Sequence, residues 1–172
     1  MKIDLSEVVL YVNKSLDKEV TIEMTTFSSK MGNFQIIDKK PFILHLSNEE
    51  DKQLFIRTDL DVILEIPCDR CLTAVPVKIH LSVDKAFMID NSQLIVEEED
   101  DYVNGFNLDI DKLIYGEILV HWPMKVLCKT DCKGICKNCG ANLNEKTCDC
   151  QKTELDPRMA AIQDIFNKFK EV

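Results

Sequence analysis

The chain has few of the features that identify membrane proteins and the common enzyme classes. None of its uninterrupted apolar runs approaches the roughly 18 residues that a membrane-spanning helix needs. Near the start, Asp4 and Glu7 interrupt any apolar stretch of a secretory signal. There is no glycine-rich phosphate loop, no nucleophile-elbow motif and no paired-acid motif in a suitable context. We therefore expect a cytoplasmic, non-enzymatic protein with no membrane partner and no small-molecule substrate.

Positive charge is scarce as well, since 21 Lys and Arg residues stand against 30 Asp and Glu residues, for a formal net charge of −9. Generic nucleic-acid binding derives most of its affinity from Lys and Arg at phosphates, so the overall charge argues against that class. The acids are concentrated in a run that is either a solvated loop or a docking strip for a basic partner. This acidic run consists of Glu97, Glu98, Glu99, Asp100 and Asp101.

The segment 125–152 has the opposite character, because its lysines outnumber its acids. These lysines can offset the negative charge of metal-bound thiolates, or they can contact phosphate, and the composition leaves both readings open. The candidates for RNA contact are Lys129, Lys133 and Lys137. The chain has only three histidines, His45, His80 and His121, and we expect each to be a surface or hydrogen-bonded side chain.

Cysteine, by contrast, is abundant, with eight residues in two groups. Eight thiolates fill two tetrahedral zinc sites with none left over, whereas disulfides need an oxidising compartment that nothing else in the sequence suggests. Gly140 follows the Cys136-Lys-Asn-Cys139 motif and allows the positive φ that tightens such a turn. The predicted zinc ligands are Cys68, Cys71, Cys128, Cys132, Cys136, Cys139, Cys148 and Cys150.

The spacing allows two divisions of these ligands. In the first, the last four cysteines form a local C-x2-C-x8-C-x-C site, while Cys68 and Cys71 join Cys128 and Cys132 across the fold. In the second, the six late cysteines supply one site and leave unpaired thiols. We favour the first division because it uses every ligand and closes a long loop as a cross-link does. All-cysteine sites are closed, whereas catalytic zinc sites keep an open position.

Apolar residues alternate with polar ones over 56–66 and again over 75–83, which predicts an antiparallel hairpin with the first cysteine pair near its tip. Further strands are predicted at 42–46 and 20–24. The stretch 90–107 lacks an apolar period and is predicted to be a loop, whereas residues 1–12 fit either a strand or a buried helix.

Two helices are predicted in the second half of the chain. One has its apolar residues spaced at helical intervals from Ile110 onward, with Asp109 as its N-cap and an end before Pro123. The other covers 157–170, with Asp156 as its cap. The expected fold is α+β: an antiparallel sheet with flanking helices and a C-terminal zinc-knuckle-like cysteine cluster. We divide it into an antiparallel-sheet domain, 1–124, and a cysteine-rich segment, 125–172, with a terminal helix packed on it.

Several motifs occur together in an order that resembles the YceD family, the large ribosomal RNA subunit accumulation proteins. They are Pro67-Cys68-Asp69-Arg70-Cys71-Leu72, the helix that begins Asp111-Lys-Leu-Ile-Tyr-Gly, the late cysteine cluster with Cys148-Asp-Cys150, and the terminal Asp156-Pro157-Arg158. The resemblance covers the chain from about residue 42 onward. Lys137 stands where the family often has proline, a departure that leaves the ligands intact.

The resemblance implies a bacterial cytoplasmic protein needed for normal accumulation of large-subunit ribosomal RNA, with no established enzymatic activity. We expect a ribosome-biogenesis factor that binds a basic large-subunit ribosomal protein through its acidic surface, or that contacts ribosomal RNA through its lysines. One alternative is an RNA-processing enzyme or nuclease cofactor, which a convergent cluster of acids and histidine would favour. Another is a redox or metal-sensing protein, which would need exposed cysteines of depressed pKa.

Overall fold

The computed structural model describes residues 1–49, 52–97, 100–150 and Ile162. Over these residues the protein is mostly antiparallel β-sheet with few helices. The elements are β1 (Lys2–Asp4), α1 (Ser6–Val9), β2 (Ser15–Val20), β3 (Thr26–Ser29), β4 (Gly32–Lys39), β5 (Phe42–Glu49), β6 (Gln53–Pro67), β7 (Ala74–Asp90), β8 (Gln93–Ile95), β9 (Val103–Asn104), β10 (Asn107–Asp109) and α2 (Ile110–Val120). The α+β expectation fits broadly, but the flanking helices are sparser than expected.

The larger sheet is organised around the β6–β7 hairpin, which pairs without interruption from Gln53 and Met88 to Pro67 and Ala74. The other edge of β6 is shared between two strands. β5 pairs with residues 53–57, and β4 pairs with residues 62–65. β2 then extends the β5 side and β3 extends the β4 side, so the path runs β2-β5-β6-β4-β3. A smaller sheet has the order β1-β10-β9.

The alternation of apolar and polar residues that predicted the hairpin matches the alternating burial of its side chains. Every even-numbered residue of β6 from Leu54 to Ile66 is buried, and so are Ile79, Leu81 and Val83 on β7. Alternate side chains of a strand point to opposite faces, so this register assigns one face of the hairpin to the core. The opposite face carries charged and polar side chains in solvent. The predicted hairpin and the strand at 42–46 are confirmed.

Helix α2 covers part of this core and confirms its predicted boundaries. Asp109 is its N-cap, with a carboxylate that accepts from the Lys112 amide, and His121 is its C-cap, just before the Trp-Pro pair. The face toward the core includes Glu117, whose side chain is only 8% exposed. Its carboxylate lies 3.0 Å from Lys85 Nζ on β7. This pairing offsets the cost of burying the charge and attaches α2 to the hairpin.

Two of the local predictions are wrong in part. The predicted strand 20–24 ends at Val20, because the amides of Glu23 and Met24 donate to Asp111 Oδ1 at 2.9 Å instead of to a neighbouring strand. The predicted loop 90–107 contains β8 and β9. A two-residue turn at Asn91 and Ser92, both at positive φ, leads from β7 into β8.

Residues 1–12, which fitted either a strand or a helix, contain one of each, because β1 is followed by α1. Except for Ile162, the predicted helix 157–170 lies outside the described residues, and the division at residue 124 stays a prediction. No helix among the described residues is long and apolar enough to cross a membrane.

Candidate metal centre

The β6–β7 turn positions the first cysteine pair. Cys68 directly follows β6, its amide donates to the Thr73 carbonyl at 2.8 Å, and its carbonyl accepts from the Leu72 amide at 2.9 Å. Leu72 has φ +61°, a left-handed conformation that is unfavourable for a leucine. The turn that contains this strained residue brings the thiols of Cys68 and Cys71 together.

The two residues between these cysteines attach the turn to the tail of the chain. Asp69 makes two bonds with Val126: its carboxylate accepts from the Val126 amide at 2.8 Å, and its amide donates to the Val126 carbonyl at 2.9 Å. Arg70 donates from its guanidinium to the Cys132 carbonyl at 2.9 Å, and its own carbonyl accepts from the Ile135 amide at 3.0 Å. These contacts bring the next two cysteines to the hairpin tip.

The result is a four-sulfur cluster, which we call the bridging tetrad, formed by Cys68, Cys71, Cys128 and Cys132. Its sulfurs all lie within 4.8 Å of one another, with 3.8 Å between Cys68 and Cys132 and 3.4 Å between Cys71 and Cys128. Tetrahedral zinc with Zn–S bonds of about 2.3 Å places its sulfurs about 3.8 Å apart. The spacing therefore fits a metal ion of this size. Cys128 is exposed, and the other three are buried.

A second cluster, the local tetrad, consists of Cys136, Cys139, Cys148 and Cys150, and its sulfurs also lie within 4.8 Å of one another. The Cys136 carbonyl accepts from the Gly140 amide at 2.9 Å, and Gly140 has the positive φ, +70°, expected for it. The structure thus groups the sulfurs as in the first of the two divisions. Either tetrad could hold a metal ion.

The titration of the thiols is consistent with metal ligation. Burial raises the pKa of Cys68, but hydrogen bonds from the amides of Arg70, Cys128 and Cys71 lower it to about 6. In contrast, hydrogen bonding to Cys71 is the main cause that raises the pKa of Cys128 to about 12. A crowded cluster of four sulfurs cannot ionise completely because the thiolates repel one another. A bound cation removes that repulsion, and metal binding releases the remaining protons.

In the local tetrad, too, the pKa of one thiol is lowered and that of another is raised. Hydrogen bonds from the amides of Cys139 and Asn138 lower the pKa of Cys136 to about 6. Hydrogen bonding to Cys139 is the main cause that raises the pKa of Cys150 to about 12.

Several supporting residues were not recognised as functional from the sequence. The Asn144 amide group donates to Cys132 Sγ at 3.3 Å, and its oxygen accepts from the Lys133 amide at 2.9 Å. The Thr73 hydroxyl accepts from Cys71 Sγ at 3.3 Å. Such partners orient metal ligands and tune their basicity. Local sequence offered one signal, the Asn-Leu-Asn pattern at 142–144, which is typical of side chains that bond nearby backbone.

The predicted partner-binding residues lie in two places. Lys129, Lys133 and Lys137 are exposed on the tail that carries the late cysteines. In the acidic run, Glu98 and Glu99 lie outside the described residues, while Glu97 and Asp101 are exposed. Among the described acids of the run, the side chains of Asp100 and Asp101 have partners within the chain. Asp100 accepts from the Tyr102 hydroxyl at 2.5 Å, and Asp101 lies 3.0 Å from Lys112 Nζ on α2.

The protein is thus a β-sheet scaffold with two candidate metal centres. One is the bridging tetrad at the tip of the β6–β7 hairpin, and the other is the local tetrad. A sequence model described as "Large ribosomal RNA subunit accumulation protein YceD" matches residues 56–166. The chain belongs to this family. The matched stretch contains all eight cysteines, so it includes both tetrads.

Three relatives illustrate the range of similarity. The chain is 26% identical to "Uncharacterized protein YlbN" of Bacillus subtilis over 60% of each sequence. It is 30% identical to "Uncharacterized protein ML1660" of Mycobacterium leprae over 44% of this chain and 36% of that protein. It is 41% identical to "Large ribosomal RNA subunit accumulation protein YCED homolog 1, chloroplastic" of Arabidopsis thaliana over 28% of this chain and 15% of that protein. The chain therefore spans less than two thirds of each relative. No solved structure matches it.

Proposed function

We propose that this protein is a non-enzymatic ribosome-biogenesis factor that supports the accumulation of large-subunit ribosomal RNA. Its family membership is the observation that carries this proposal, because both the family description and the name of the Arabidopsis relative refer to that role. The two closed sulfur clusters are consistent with it, since they suit a structural metal better than a catalytic one.

Zinc is the metal that we assign to both tetrads. Four thiolates suit a borderline-soft divalent cation, and the sulfurs of the bridging tetrad lie close enough together for tetrahedral zinc. When bound, zinc would supply a cross-link. In the bridging tetrad this cross-link would attach the tail to the tip of the β6–β7 hairpin, where Asp69 and Arg70 already hold the same two parts together.

The partner that we propose is a basic large-subunit ribosomal protein, bound through the acidic run. With a net charge of −9 the protein as a whole repels phosphate, so a basic intermediary is the better route to ribosomal RNA. Glu97 is exposed and comes two residues after the end of β8, where it is accessible to such a partner. Lys129, Lys133 and Lys137 would add a weaker contact with RNA.

The rival function, RNA processing, has one observation in its favour. His80 lies between two acids on the solvent-exposed face of the hairpin, with Nδ1 3.0 Å from Asp61 and Nε2 4.0 Å from Asp59. All three side chains are at least 45% exposed, and no described cavity has them in its lining. Exposed ion pairs of this kind are common on sheet surfaces, so we favour the non-enzymatic function.

The partner is tested by passing the total protein of purified large ribosomal subunits over the immobilised chain. We expect a basic ribosomal protein to be retained at low salt and released as salt rises. The variant Glu97→Gln/Glu98→Gln/Glu99→Gln should slow association by about tenfold with little change in dissociation, because exposed charges mainly steer the encounter.

A matched control, Glu19→Gln/Asp38→Asn/Glu65→Gln, removes the same charge from strands of the larger sheet and should slow association less. Tight binding of naked ribosomal RNA at physiological salt, with no ribosomal protein retained, would contradict the proposal.

A further inference from the structure

In the part of the chain that the structure describes, β7, the longest strand of the sheet, has one edge that is largely unpaired. On one side β7 pairs with β6 along its full length. On the other side β8 pairs only with Met88, Ile89 and Asp90. Among the described residues, no strand pairs with this outer edge between Ala74 and Phe87. The unpaired stretch is on the order of 40 Å long, at about 3.3 Å per residue.

Two hydrogen bonds determine which backbone groups of β7 face outward. At one end of the hairpin the Ile89 amide donates to the Lys52 carbonyl, and at the other the Thr73 carbonyl accepts from the Cys68 amide. Both residues on the β7 side are odd-numbered, and the register between them has no shift. Alternate residues of an antiparallel strand bond to opposite neighbours. The odd residues of β7 therefore bond to β6, and the even residues present their N–H and C=O groups to the outer edge.

The residue types agree with this assignment. Pro76, which has no N–H, is an even residue, so it removes no bond from the β6–β7 ladder. The side chains of the even residues are exposed from Ala74 to Ala86, and apart from Lys78, His80 and Asp84 they are uncharged. The edge between Lys78 and Ala86 thus has intact backbone donors and acceptors and no proline.

Glu97 and Asp100, two described residues of the acidic run, lie toward the open end of this edge. β8 leaves the edge at Ile95, opposite Met88, and Glu97 follows two residues later. The ring of Tyr102, which donates to Asp100, packs 6.2 Å from the ring of Phe87 on β7. A strand added to β7 would therefore extend toward Glu97 and Asp100, so the charge at this end of the edge is negative.

We infer that the outer edge of β7 is a β-augmentation site, at which an extended basic segment of the ribosomal protein partner adds a strand and places Lys or Arg side chains near Glu97 and Asp100. This inference rests on the proposed function. Backbone hydrogen bonds to the edge would supply affinity, and Glu97 and Asp100 would select a basic segment. The partner is thereby a protein with an extended, positively charged tail or loop.

The test uses the full chain, with the total protein of purified large ribosomal subunits as the probe. Ser82→Pro removes one outward N–H, whereas Ser82→Ala changes the same side chain and keeps it. We expect Ser82→Pro to weaken retention by at least about tenfold and Ser82→Ala to stay within about twofold of wild type. In the wild-type complex, amide exchange at Lys78, His80, Ser82 and Asp84 should slow. That second measurement does not depend on the proline variant folding.

The outcomes separate this inference from the proposed function. If the wild-type chain retains no ribosomal protein, the proposed partner and this inference both fail. If it retains one while the even-residue amides exchange as in the free chain, the inference alone is overturned. It is also overturned if those amides are already protected in a dimer of the free chain, because the edge would then be occupied by a second copy.

Discussion

Replacing Gly134 by alanine is a sharp test of how the hairpin tip is attached to the tail. Gly134 has φ +79°, and a Cβ added there would lie 3.1 Å from the Arg70 carbonyl oxygen. That same oxygen accepts the hydrogen bond from the Ile135 amide at 3.0 Å. The substitution therefore combines an unfavourable backbone conformation with a steric contact at a bond that closes the site.

Gly140 provides the matched control. Its φ is +70°, close to that of Gly134, but a Cβ at this position would have nothing within 4 Å. Both variants share the left-handed cost of about 1–2 kcal/mol for an L-residue. Gly134→Ala should in addition lose much of the Arg70–Ile135 bond, about 0.5–1.5 kcal/mol, for a local total of roughly 2–3 kcal/mol.

The measurement is native-state amide exchange, which reports local opening free energies. Since about 1.4 kcal/mol corresponds to a factor of ten, Gly134→Ala should speed exchange of the Ile135 amide by roughly 30- to 150-fold. Gly140→Ala should leave that amide within about twofold of wild type and act on its own amide, which donates to Cys136. If the two variants had the same effect at Ile135, the close approach to Arg70 would not matter, and the reasoning would be refuted.

The remaining predictions concern the metal and the chemistry. Freshly purified, reduced protein should contain about two zinc ions per chain by elemental analysis, given four thiolates per closed site, and a zinc-free preparation would rule out the metal assignment. Cys139→Ser should retain one zinc ion and speed amide exchange only around the local tetrad. Cys68→Ser should also retain one zinc ion, but it should speed exchange of the Val126 and Ile135 amides. If exchange of those two amides were unchanged in Cys68→Ser, a site shared between hairpin and tail would be contradicted. No nuclease activity on ribosomal RNA is expected, and a cleavage lost in His80→Ala but retained in His45→Ala would overturn the non-enzymatic proposal.

The parts of the fold that depend on local repetition were predictable from the sequence. Alternation over 56–66 and 75–83 identified β6 and β7, because a strand with one buried face must place apolar residues at every second position. The helical spacing after Asp109 identified α2 for the same kind of reason. The cysteine spacing, together with the assumption that every cysteine is a ligand, suggested which sulfurs would lie together. The structure groups the same sulfurs.

The contacts that assemble the site were not predictable in this way. Asp69 bonds to Val126 and Arg70 to Cys132 across sequence separations of 57 and 62 residues. No local pattern encodes such pairings, since they depend on where the tail docks. The strand predicted at 20–24 was wrong for a related reason, because Asp111 accepts the amides that a strand would have used. Similarly, β8 depends on a turn made by Asn91 and Ser92, a pair without the glycine that usually marks it.

The bridging tetrad connects the order of synthesis to the order of folding. The hairpin that carries Cys68 and Cys71 is complete in sequence at residue 90, and hairpins form within about 10 μs. Cys128, however, follows Cys71 by 57 residues, which at about 5–20 residues per second takes roughly 3–11 s to synthesise. During that interval the growing chain presents a two-thiol site that would hold a metal ion only weakly. A closed centre at the hairpin tip is therefore a sign that synthesis has passed Cys132.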